Sequence, residues 1–201
     1  MKLYMSPGSC SLSPHIALRE AGAEFELVRV NLQEKKLPDG GDYLAVSPKG
    51  QVPVLELDNG ETLTENAAIL QYVADHHAQA GLTPAAGTIE SYRLQEWLSF
   101  IGSELHKTLP ALFVPRYPAE YKPMARATLE RKFANLEAHL ADNQFLMGDE
   151  FSIADAYCFA IVNWHKKADI DLAPWPNLKS YMARVEARPK VQEALEVEAA
   201  Y

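Results

Sequence analysis

The chain has 201 residues, 48 % apolar and 23 % charged, with a formal net charge of −8. That is ample material for a buried core in one large domain or two small ones, so wholesale disorder is excluded. The acidic balance argues against a nucleic-acid partner, which needs a basic patch, and no apolar run approaches the roughly 20 residues of a membrane span.

The first 80 residues alternate strand and helix. Lys2–Met5 reads as a strand, and Ser6-Pro-Gly-Ser9 then interrupts it, so the N-terminus does not read as a signal peptide. Pro14–Ala21 reads as a helix with Gly22 as its C-cap. Phe25–Leu32 alternates apolar and polar over much of its length, as a half-buried strand does. Gln51–Leu57, the turn Asp58-Asn59-Gly60 and Glu61–Leu63 predict a hairpin. Asn66–His76 predicts a helix with Ile69, Leu70 and Val73 on its apolar side. A β-α-β start followed by β-β-α predicts a small α/β domain with a mixed sheet over residues 1–80.

Residues 81–87 read as a linker, and 88–201 as an all-helical domain. Leu94, Leu98, Ile101 and Leu105 make one apolar stripe, and Leu129, Phe133, Leu136 and Leu140 another. Ser152-Ile-Ala-Asp155 has the layout of a capping box, with Phe151 and Ala156 as a weak staple. The run it opens, through Trp164, is apolar almost all round and predicts a central buried helix. A further helix starts near Asn177, and Arg188-Pro189 breaks it.

The residue types that carry chemistry start with Cys10, placed between the first strand and the first helix. A cysteine at the first turn of a helix meets unpaired N–H groups and the positive end of the dipole, both of which favour a thiolate. Cys10-Ser-Leu-Ser13 is a Cys-x-x-Ser, so Cys10 cannot close on a neighbouring thiol and would need one from outside, such as glutathione. Cys158 lies in the apolar run 156–162 and reads as an inert core thiol. Two such distant cysteines indicate a reducing compartment, hence the cytoplasm.

Val52-Pro53 interrupts a strand pattern: the proline is either a trans residue at a strand start or a cis one, which would offer the backbone of Val52 to a ligand. At the start of the next helix, Asn66 is either a plain N-cap or, with the helix N–H groups, part of a carboxylate site; Glu65 beside it suits an ammonium. Lys35 and Lys36 are a solvated pair or a carboxylate contact. Gln95, Ser99, Ser103 and His106 recur at helical spacing. That stripe is either the wet side of a helix or the lining of a cleft, with Lys107 at its end. His76-His77 reads as a frayed helix end with no metal ligand set, and His15, His139 and His165 receive no role.

Taken in order, Ser-Pro-Gly-Ser-Cys10, Ser47-Pro-Lys-Gly-Gln-Val-Pro53, Leu63-Thr-Glu-Asn66, Glu104-Leu-His-Lys107 and Phe151-Ser-Ile-Ala-Asp-Ala156 resemble the bacterial beta class of cytosolic glutathione transferases. The resemblance spans the whole chain. It implies a thioredoxin-like N-terminal domain, an all-α C-terminal domain, a homodimer and glutathione as co-substrate with no metal. It implies that Cys10 and His106 are catalytic, with His106 near the thiol. Val52 before a cis Pro53 would pair with the cysteinyl part of glutathione, Glu65 and Asn66 with the γ-glutamyl end, and Lys35 with the glycyl carboxylate. Ser103 and Lys107 would add contacts, and Ser99 would reach across the dimer. Position 66 is more often a small hydroxyl or glycine in this class, and position 99 an asparagine. Met5 stands where related chains often carry tyrosine, which leaves Tyr4 as a weak candidate.

The reaction so implied is conjugation of glutathione to small hydrophobic electrophiles, a detoxification chemistry. Leu109, Leu112, Phe113, Tyr117 and Trp164 are the candidates for the electrophile pocket. Its alternatives are a Cys10-dependent thiol–disulfide exchange or reductive dehalogenation, and a non-catalytic binding scaffold.

Overall fold

A computed structural model describes all 201 residues. It divides into two compact units: Met1–Thr83 together with Arg188–Tyr201, and Pro84–Ala187. In the first unit, four strands, β1 (Lys2–Met5), β2 (Glu26–Arg29), β3 (Val54–Glu56) and β4 (Thr62–Thr64), form one sheet in the order β2-β1-β3-β4. The pair β1–β2 is parallel, and the pairs β1–β3 and β3–β4 are antiparallel. The mixed sheet follows from connection length: α1 (Leu12–Glu20) carries the parallel crossover, whereas Asp58–Gly60 closes a hairpin.

Successive side chains leave a strand on opposite faces. Tyr4 and Val54, opposite each other in register, share one face with Val30, Tyr43 and Val52. Leu3 and Leu55, the next pair, lie on the other face and are fully buried. The helices α1 and α2 (Asn66–His76) pack together, and Gly22 ends α1 at φ 66°. A side chain there would be strained, so glycine is required. Two strands are shorter than their sequence patterns: β3 starts only after the cis Val52-Pro53 bond, and past the end of β2 Asn31 pairs with Lys36 in an isolated bridge.

The last helix, α8 (Pro189–Ala199), departs from the sequence boundaries. The helical domain expected over 88–201 ends at Ala187, and α8 packs on α1 of the first unit. Charged pairs hold it there. Arg188 binds Glu20 through two nitrogens at 2.7 and 2.9 Å, and Arg19 reaches Glu193 at 3.3 Å. The division between units falls inside the expected linker, after Thr83.

The second unit holds α3 (Ile89–Phe100), α4 (Pro110–Phe113), α5 (Lys122–His139), α6 (Ile153–Val162) and α7 (Pro176–Glu186). Every residue of α6 is buried, and α7 packs on both α5 and α6. The two apolar stripes are buried as their spacing requires. The first does not continue as one α-helix, because Ile101–Leu105 forms a π-turn closed by His106 N–H to Ile101 O at 2.8 Å.

Candidate functional site

The turn that carries Cys10 is built from serines. Ser11 Oγ accepts from Ser6 N–H at 3.2 Å and shares a 2.7 Å hydrogen bond with Ser9 Oγ. Ser13 Oγ donates to Cys10 O at 2.7 Å. Small hydroxyls suit this work because they pair with backbone a few residues away. The expectation for Cys10 needs correction here. Cys10 lies ahead of the N-cap Ser11 rather than in the first turn of α1, and the backbone N–H groups of Leu12, Ser13 and His15 are bonded to Ser9 O, Cys10 O and Ser11 O. The thiol instead donates to Val52 O at 3.4 Å. That bond uses the proton on sulfur.

Val52 and Pro53 are joined by a cis peptide bond just ahead of β3. The neighbouring loop is held by Lys35, whose Nζ donates to Gly50 O at 2.7 Å. Lys35 has φ 56°, an uncommon backbone conformation for a side chain of this kind. Cys10, Val52, Pro53 and Lys35 thus belong to linked segments of the first unit.

At the start of α2 the structure places Glu65 as N-cap, with φ 72° and no side-chain cap bond. Strained backbone of this sort costs about 1–3 kcal/mol. Asn66 is the first helical residue, not the cap. Its side chain is 5 % exposed, and neither Oδ1 nor Nδ2 has a partner. Leaving a buried polar group unpaired costs about 1–3 kcal/mol. Lys49, which sequence reasoning missed, donates to Glu65 Oε1 at 2.7 Å and to Thr64 Oγ1 at 3.1 Å. Its signal was present in Ser47-Pro-Lys49, but nothing in the spacing connects it to Glu65.

Tyr4 is taken up elsewhere: its hydroxyl donates to Glu56 Oε2 at 2.7 Å. Burial, then the bond to Glu56 and its charge, push the phenol well above its ordinary range. The one proton of the Tyr4 hydroxyl is thus given to Glu56 in this structure. Lys2 also binds Glu56, at 3.1 Å, and these two partners hold the Glu56 carboxyl below its usual value.

In the second unit, His106 Nδ1 and the Tyr157 hydroxyl are 2.8 Å apart. Trp164 meets the His106 ring edge-on with centroids 5.2 Å apart, and Phe113 meets Trp164 at 5.8 Å. Tyr157 is the residue that the apolar reading of α6 obscured. Ser103 Oγ donates to Ser99 O at 2.9 Å, so these two are partners of each other along the helix. Of the electrophile-pocket candidates, Leu109 and Leu112 are buried core, and Phe113 and Tyr117 are partly exposed. His76 and His77 bond to Tyr72 O and Val73 O, closing the end of α2. No three His, Cys, Asp or Glu side chains gather where they could hold a metal ion.

Comparison with known proteins agrees with this architecture. Residues 1–75 match the glutathione S-transferase N-terminal domain, and 73–189 the C-terminal domain. The chain is 46 % identical to a glutathione S-transferase of Escherichia coli, over 98 % of both chains. It superposes on a sphingomonad glutathione S-transferase complexed with glutathione at a TM-score of 0.96, with 46 % identity and complete coverage of both chains. The bacterial beta-class enzyme of Sphingomonas chungbukensis gives 0.94, with 48 % identity and 98 % of each chain covered.

Proposed function

The chain belongs to the glutathione S-transferase family, and we propose that it joins glutathione to small hydrophobic electrophiles in the cytoplasm, as a detoxifying homodimer. One observation carries the reading. A buried amide with two unpartnered polar atoms, Asn66, stands at the N-terminus of a helix beside Glu65 in a strained conformation. Such a site fits a group bearing both a carboxylate and an ammonium. The γ-glutamyl end of glutathione is that group. Asn66 Nδ2 and the α2 N–H groups would take its carboxylate, and Glu65 its ammonium.

Val52 would pair its backbone, ahead of Pro53, with the cysteinyl part, and Lys35 would take the glycyl carboxylate. On the helical unit the proposal gives Ser103 and Lys107 to glutathione, and to His106 the handling of a proton at sulfur. These assignments, and the reach of Ser99 to a second copy, rest on the family resemblance. Exposed Ile89 and Tyr92 on α3 support a second copy, and two cysteines outside any disulfide support a reducing compartment.

In the reaction, the glutathione thiol gives up its proton, and the sulfur lone pair forms a carbon–sulfur bond with the electrophilic carbon. The displaced electron pair leaves with a halide or moves onto the far carbon of an activated double bond. Lowering the thiol pKa by one unit takes about 1.4 kcal/mol, within the range of one charge-assisted hydrogen bond.

The test is steady-state conjugation to a chlorinated nitroaromatic, with wild type and Cys10→Ala side by side. We expect Cys10→Ala to keep most of the activity, because the Cys10 thiol is bonded to Val52 O as a donor. Loss of activity together with a glutathione adduct on wild-type Cys10 would move the chemistry to Cys10 itself. No conjugation and no glutathione binding in calorimetry would leave only the scaffold.

A further inference from the structure

A buried relay joins the last helix to the Cys10 turn, through residues outside the glutathione contacts proposed above. Arg19 Nε donates to His15 Nε2 at 2.8 Å. A guanidinium keeps all its protons, so Nε2 is the bare nitrogen and His15 carries its proton on Nδ1. Nδ1–H then donates to Glu198 Oε1 at 3.1 Å, and Glu198 Oε2 accepts from Gly8 N–H at 3.0 Å. His15 is 0 % exposed and Glu198 5 %. Every bond in the relay therefore has a fixed direction, and each carboxylate oxygen takes one donor.

Burying a carboxylate is costly unless its lone pairs are used. Attachment of α8 does not explain Glu198, since Arg188–Glu20 and Arg19–Glu193 already fasten that helix to α1. What Glu198 adds is a hold on Gly8, two residues before Cys10, at a φ of 65°. The serines join turn residues mainly to one another. Glu198 joins the turn to a separate helix.

We propose that Glu198 is a positioning residue for Cys10: by holding Gly8 N–H, with its second oxygen fixed by His15, it sets the turn that aims Cys10 Sγ at Val52 O. The proposal rests on Cys10 being part of the glutathione site for its catalytic meaning, but not for its test.

Glu198→Gln separates the possibilities. An amide has one oxygen, so it cannot accept from both Gly8 N–H and His15 Nδ1–H, and Arg19 prevents His15 from changing tautomer. The measurement is alkylation of Cys10 by iodoacetamide across pH in the full chain, where Cys158 is fully buried. Glu198→Gln is expected to speed Cys10 alkylation about tenfold, the factor set by 1.4 kcal/mol, and to shift its pH profile. Glu198→Asp keeps both acceptor oxygens and should give a smaller increase; it also stands in if Glu198→Gln does not fold. Glu20→Gln, which loosens the other end of α8, should lower the melting temperature and leave alkylation within about twofold, well inside that factor.

The proposal is overturned if Glu198→Gln leaves the alkylation profile unchanged. It is also overturned if Glu20→Gln moves the profile as far. Alkylation needs no glutathione, so a chain without conjugating activity would still give an answer.

Discussion

Two helices in this molecule begin in opposite ways. At the start of α6, Asp155 accepts from Ser152 N–H at 2.9 Å, from Leu146 N–H at 2.9 Å and from Tyr181 Oη at 3.0 Å. Ser152 Oγ caps in return by accepting from Ala154 N–H. Burial pushes the Asp155 carboxyl up, and these donors push it back down. At the start of α2, Glu65 makes no cap bond, and Asn66 has two buried polar atoms with no partner. The first end is complete within the chain. The second is not, and in the function proposed above the γ-glutamyl end of glutathione would complete it.

The comparison breaks most visibly at Asp155. Asp155→Ala should cost about 3 kcal/mol of folding stability, since it strands buried donors on Ser152, Leu146 and Tyr181. Urea unfolding would read the loss, and the glutathione affinity of the folded fraction should hold. At Asn66 the pattern should reverse. Asn66→Ala is expected to weaken glutathione binding about tenfold, roughly one lost charge-assisted hydrogen bond, without lowering stability in the absence of glutathione. Calorimetry beside a thermal melt decides it; a stability loss with affinity unchanged would mean that the amide is structural.

Glu56 sharpens the comparison as a partly exposed carboxylate bonded to Tyr4 and Lys2. Its pKa is lowered, first by the Tyr4 hydroxyl and then by Lys2. The folded form therefore prefers the charged group. The stability this supplies is present above the ordinary value near 4.5 and is lost as pH falls below it. Glu56→Gln should flatten that acid limb of the stability profile, the smallest of these effects.

Much of the helical unit was legible in advance. The capping box at Ser152–Asp155 and the buried run behind it are signals between residues three or four apart, and both are present. Asn66–His76 matches its sequence pattern from end to end. The site was legible as residue types, and less so as contacts. Cys10 reads as a thiolate at a helix start, yet the chain spends those N–H groups on its own turn and gives the thiol a carbonyl. Asn66 reads equally as a cap or as part of a carboxylate site, and the structure puts it one residue past the cap with its amide unpartnered.

The sequence by itself determined the order of strands and helices, the sides that each buries and the residue types at the site. Those follow from periods of two and of three to four residues, which are set by near neighbours. Tertiary structure alone decided that Val52 faces Cys10, that Lys49 reaches Glu65, and that α8 returns to place Glu198 under Gly8. These partners are 42, 16 and 190 residues apart. At such separations no periodicity links two side chains, and packing chooses which carboxylate meets which buried donor.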